Sequence, residues 1–138
     1  MREEEKLARD VYQFLFDKWQ LNIFKNIAAA EESHFVAVGG MLTRYNVSDP
    51  AADKPAGVYS NADLNTLYAQ LTAKGATSVA DAFEVGILIE KADIADLEKA
   101  IAATDRVDIK RLYTNLMNAS YNHQEAFEAN HEICLIAQ

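Results

Sequence analysis

The stretch Ile23-Phe24-Lys25-Asn26-Ile27-Ala28-Ala29-Ala30-Glu31-Glu32-Ser33-His34-Phe35-Val36-Ala37-Val38 decides how this chain is read. Phe24, Ile27 and Val38 recur on one helical stripe, and Glu31 and His34 fall on that same stripe. A second stripe, Val79, Phe83, Ile87, Leu97 and Ile101, carries Glu90 and Asp93 in the same way. Both polar pairs, an E-x-x-H and an E-x-x-D, are therefore expected to point toward the core. A buried carboxylate is costly unless something positive sits beside it, and a bound metal pair would remove that cost.

Outward from these stripes, the periodicity predicts a helix from about Arg2 to Lys18 through Leu7, Ala8, Val11, Tyr12 and Leu15. Trp19 to Asn22 is a short connection, with Asn22 as N-cap of a second helix reaching Tyr45. Residues 46 to 60 hold both prolines with Ser48, Asp49, Asp53 and Gly57, the composition of a loop. Asn61 to Ala73 reads as a short extra helix with Gly75 as its C-cap. Ser78 caps a long helix from Val79 to Ala103. Thr104 or Asp105 caps another from Val107 to His131 or beyond, along Ile109, Leu112, Leu116, Ala119, His123 and Phe127. Short links make antiparallel neighbours. The expected fold is thus all-α: two helical hairpins joined by a crossover of about thirty residues, the ferritin-like form of the four-helix bundle. One domain over residues 1–138 suits the length.

Composition narrows the function classes. Half the residues are hydrophobic, with only two prolines and five glycines, which reads as globular and helix-rich. A net charge of -8 argues against nucleic acid, which needs a basic footprint, and against anionic membrane surfaces. No apolar run approaches the length of a membrane span. Neither a Gly-rich phosphate loop nor a nucleophile-elbow motif is present. The single cysteine, Cys134, forms no internal disulfide and reads as apolar packing. The chain opens directly in a helical pattern, as a trimmed chain would. A cytoplasmic address is the expectation if it is complete, and an exported protein stays open.

The polar residues must carry the function. Glu5 shares a face with Ala8 and Tyr12, although Glu4 is one position away and periodicity does not separate them. To Glu5 are added Glu31 and His34, Glu90 and Asp93, and His123 with Ser120 one turn earlier. Four carboxylates carry -4, which two divalent ions would balance with neutral histidines. Oxygen donors with imidazoles suit iron or manganese, and zinc can occupy such sites too. Counted from the first turn, Glu5 and Glu31 differ in axial position by roughly 6 Å at ~1.5 Å per residue. An irregular turn, or Asp10 acting in place of Glu5, would resolve that offset.

Glu5-x-x-Ala8-Arg9-x-x-Tyr12 followed by Glu31-x-x-His34 resembles the first half of a rubrerythrin or ferritin-like di-iron domain. Glu90-x-x-Asp93 is similar to the third-helix carboxylate pair of rubrerythrins. The opening Glu-Glu-Glu-Lys-Leu-Ala-Arg-Asp-Val-Tyr, with Leu-Ile-Glu-x-x-Asp-Ile-x-Asp-Leu and Ser-x-x-His-x-x-Ala-Phe, resembles an uncharacterised prokaryotic family of ferritin-like domains over nearly the whole chain. The resemblance implies two iron ions on Glu5, Glu31, His34, Glu90, Asp93 and His123, and redox activity with O2 or peroxide of the peroxidase or ferroxidase type. The alternative is a metal-binding or structural helical domain without turnover. One departure stands out: the usual fourth helix carries Glu-x-x-His, and here it is Ser120-Tyr121-Asn122-His123, so Asp93 would replace the missing acid. No Cys-x-x-Cys module is present, so electrons would come from an external donor. Exposed apolar helix faces would allow a homodimer.

Overall fold

A computed structural model describes residues 1–137, which form five α-helices and no strand. These are α1 (Arg2–Trp19), α2 (Asn22–Arg44), α3 (Ala62–Gly75), α4 (Val79–Ala102) and α5 (Val107–Ile136). The chain divides into two compact units, Met1–Ala76 and Thr77–Gln138. Among the described residues, no helix is long and apolar enough to cross a membrane.

In the first unit α1 packs on α2 and on α3. Val11, Tyr12, Leu15 and Phe24 are fully buried, with Leu7, Ala8, Ile27, Ala28 and Val38 nearly so. Gln20 ends α1 in the left-handed region at φ 55°, its N–H donating to the Phe16 carbonyl at 2.7 Å, and this reverses the chain. The loop composition of residues 46–61 conceals an ordered connection strapped to α1. Arg2 grips Asp49 through two nitrogens, Nε at 3.2 Å and Nη2 at 3.0 Å. Glu3 accepts from the backbone N–H groups of Ser60 and Asn61. Lys6 Nζ donates to the carbonyls of Pro55 (2.7 Å) and Val58 (3.0 Å) and to Asp10 Oδ2 (2.9 Å). Asp10 Oδ2 also accepts from Gly57 N at 3.0 Å and Tyr59 Oη at 2.8 Å. Gly57 adopts φ 80° and lies where a Cβ would come 2.7 Å from the Tyr68 ring, so both backbone and space require glycine.

The second unit is the hairpin of α4 and α5. Ser78 caps α4 as expected, its Oγ accepting from Asp81 N at 3.0 Å. The buried face of α4 runs through Ala82, Phe83, Val85, Gly86, Ile89, Glu90, Asp93, Ile94 and Leu97, while Val79 and Ile87 lie at its margin. Gly86 lets α5 approach: a Cβ there would meet Phe127 Cδ2 at 2.6 Å.

Three expected caps are corrected. Asn22 lies inside α2 and half-buried Leu21 takes the N-cap in extended backbone, without a side-chain bond. Arg106 rather than Thr104 or Asp105 precedes α5; the Thr104 hydroxyl accepts from Arg106 N at 3.2 Å and closes a turn before the helix begins. Gly75 is the last residue of α3, followed by Ala76 in right-handed backbone. It is small because Leu15 packs against it, and its carbonyl accepts from Trp19 Nε1 at 2.8 Å.

Candidate metal centre

In the first unit the helical spacing of α1 separates two sets of charges. Lys6 and Asp10 turn toward the crossover, and Glu5 turns toward α2 with Ala8 and Tyr12. Glu5 and Glu31 are each 1% exposed. His34, one turn beyond Glu31, points Nδ1 at both acids: 3.2 Å from Glu31 Oε2 and 3.3 Å from Glu5 Oε2. One donor atom from each of Glu5, Glu31 and His34 lies within 4.8 Å of the others, a group that could hold a metal ion. Both Glu5 oxygens are shielded from solvent, with His34 Nδ1 3.3 Å from Oε2.

Burial above all, helped by the adjacent Glu31, pushes the Glu5 carboxyl up to about 7 against the pull of His34. Burial disfavours the His34 imidazolium, but the hydrogen bonds and charges of Glu31 and Glu5 outweigh it and push His34 up to about 10. Two buried acids facing one imidazole thus both favour its protonated form.

The ambiguities of the sequence resolve here. Glu4 pairs with the N-terminal amine at 3.0 Å and its side chain is 38% exposed, so Glu5 is the inward acid. Asp10 does not replace it. Burial would raise the Asp10 carboxyl, yet Lys6, the Gly57 N–H, Tyr59 and Arg9 hold it below its ordinary range, fully engaged in the strap. That buried Lys6–Asp10–Tyr59 network was not legible as such; its one sequence signal is the i,i+4 spacing of lysine and aspartate. The axial offset expected between Glu5 and Glu31 does not keep their ligand atoms apart, which lie within 4.8 Å of each other.

In the second unit Glu90 is fully buried and its Oε1 lies 3.4 Å from His123 Nδ1. Asp93, one turn along α4 from Glu90, is 9% exposed. Its Oδ2 accepts from the hydroxyl of fully buried Ser120 on α5 at 2.9 Å. Glu98, by contrast, is exposed on the outer face of α4, within 3.3 Å of Tyr121 Oη. The first unit therefore brings Glu5, Glu31 and His34 together, and the second sets Glu90 beside His123, with Asp93 one turn along α4 and bonded to Ser120. The buried, donor-poor Glu5 and the acid-facing imidazole nitrogens fit a hard or borderline divalent ion by donor type.

A family model described as an uncharacterised protein domain, DUF2202, matches residues 1–134. An uncharacterised protein of Methanocaldococcus jannaschii, MJ0754, is 54% identical over 127 residues, covering 92% of this chain and 69% of that protein. The crystal structure of the hypothetical protein MJ0754 from Methanococcus jannaschii superimposes with a TM-score of 0.90 at 54% identity, over 92% of this chain and 73% of that one.

Proposed function

The chain belongs to the uncharacterised domain family DUF2202, and within that family we propose that it is a dinuclear metal-carboxylate protein of the di-iron type, reactive toward O2 or peroxide. The observation that carries this reading is the cluster of Glu5, Glu31 and His34, two buried acids sharing one imidazole nitrogen. Glu5, Glu31, Glu90 and Asp93 would offer carboxylate oxygens, and His34 and His123 would offer Nδ1. With both acids ionised and the imidazole neutral, each unit's set would carry -2 and be neutralised by one divalent ion, which would offset the desolvation of its acids. Two iron ions so held would supply redox chemistry toward oxygen or peroxide, with electrons from an external donor. Manganese and zinc suit the same donors. The ferritin-like four-helix bundle belongs to this reading, since the resemblance that suggests the ligands suggests that fold as well.

The test is metal analysis by anomalous scattering at the iron, manganese and zinc edges on protein purified without added metal. Anaerobic Fe(II) loading and exposure to O2 or peroxide then follows. Two metal ions per chain, with rapid oxidant consumption and a new near-ultraviolet oxo-to-iron absorption, is the expected result. Metal without oxidant consumption reduces the reading to a metal-binding domain without turnover. No stoichiometric metal after reconstitution overturns it.

A further inference from the structure

We infer that Ser120 is a positioning residue that decides which oxygen of Asp93 is offered to a metal ion. The inference rests on the reading of Asp93 as a ligand. Four other hydroxyl residues within these helices, Ser33, Thr43, Thr66 and Thr72, donate to the carbonyl four residues back in their own helix, the usual local outlet for such a side chain. Ser120 does otherwise. Its hydroxyl crosses from α5 to α4 and donates to Asp93 Oδ2 at 2.9 Å, with the serine fully buried. A hydroxyl without solvent needs a partner, and this one spends its proton on a single carboxylate oxygen.

The consequence for Asp93 is asymmetry. Oδ2 is engaged by the hydroxyl, whereas Oδ1, also shielded from solvent, is not its acceptor. Chelation through both oxygens would compete with the serine for Oδ2, so the arrangement favours Asp93 as a single-oxygen donor through Oδ1. Such outer hydrogen bonds orient ligating carboxylates and tune their affinity. Ser120 also stands three residues before His123 on the same helix. The small side chain leaves room for Asp93 and supplies the hydrogen bond that orients it. The carboxylate thus sits on α4, and the residue that aims it sits on α5.

The test uses the full chain with S120A, S120T and D93A, Mn(II) titration by calorimetry, the Mn(II) electron paramagnetic resonance spectrum, and thermal melts in chelator. S120A should weaken Mn(II) binding by roughly ten- to hundred-fold, the usual effect of losing an outer-sphere partner, and alter the Mn(II) spectrum. S120T, which keeps the hydroxyl, should restore both. The melts in chelator show whether S120A is folded when it is titrated. S120A with wild-type affinity and spectrum overturns the inference, as does S120T as weak as S120A. If D93A loses binding while S120A does not, only the role of Ser120 falls. If D93A binds as the wild type does, the ligand role of Asp93 falls and this inference with it.

Discussion

A single nitrogen, His34 Nδ1, stands within 3.3 Å of two buried acids, so the side chains of this cluster are mutually dependent. H34A and E31A should each reduce metal affinity by more than the roughly ten- to hundred-fold typical of an outer-sphere loss, read by metal content after loading and desalting. E98A, on an exposed outer face, should leave content unchanged. These residues were legible because ligand spacing and core spacing coincide: three residues apart on a stripe whose other members are apolar. The Lys6–Asp10 pair was not legible, because its partners at Pro55, Val58 and Gly57 are backbone groups, which carry no residue signature. Both side chains of that pair are essentially inaccessible. D10N should therefore cost about 3–5 kcal/mol in chemical denaturation at pH 7, since it leaves the Lys6 ammonium buried without its countercharge. The folded Asp10 carboxyl lies below its unfolded value of 3.8, so its contribution is present above that value and disappears as pH falls through the depressed one. The gap between wild type and D10N should accordingly close in acid.

Among the helices, packing decides more than intrinsic preference does. Gly86 in mid-α4 shows this by magnitude. Alanine would gain about 1 kcal/mol in helix propensity, but its Cβ would stand 2.6–2.7 Å from three atoms of the fully buried Phe127 ring. Overpacking of this kind costs about 1–3 kcal/mol, so G86A should lower the melting temperature rather than raise it. The helices themselves were legible from apolar periodicity, and Ser78 announced its own terminus through a side-chain bond to Asp81 N. Asn22, Thr104 and Gly75 misled because the residue type is a frequent cap without being obliged to act as one. Leu21 starts α2 through its backbone, Thr104 closes a turn, and Gly75 is small to admit Leu15. The order in residues 46–61 was hidden for the same reason as the Lys6 contacts: four α1 side chains, Arg2, Glu3, Lys6 and Asp10, hold a segment whose composition reads as loop.

For the molecule as a whole, the proposed metal would compete with protons for the same buried acids in a chain of net charge -8. Glu5 is pushed from 4.5 to about 7 and His34 from 6.5 to about 10 in the folded chain. Both folded values lie above the unfolded ones, so the folded chain holds the extra protons. Their stabilising effect is complete below the unfolded values; it fades for Glu5 as pH rises from 4.5 to about 7 and for His34 from 6.5 to about 10. A divalent ion held by the proposed ligands would oppose this slope, because it would bind the deprotonated groups and expel the protons they held. Chelated protein should therefore lose thermal stability between pH 5 and pH 9, by the part of the titration these two groups contribute. Protein with Mn(II) at about one hundred times its dissociation constant should gain roughly 2.7 kcal/mol over the chelated form. At a fixed Mn(II) concentration that gain should widen as pH rises. Scanning calorimetry at several pH values, with and without Mn(II), reads the two slopes directly. A Mn(II) effect that is absent, or that grows toward acid, would show that the protons at His34 and Glu5 are not the ones a metal displaces.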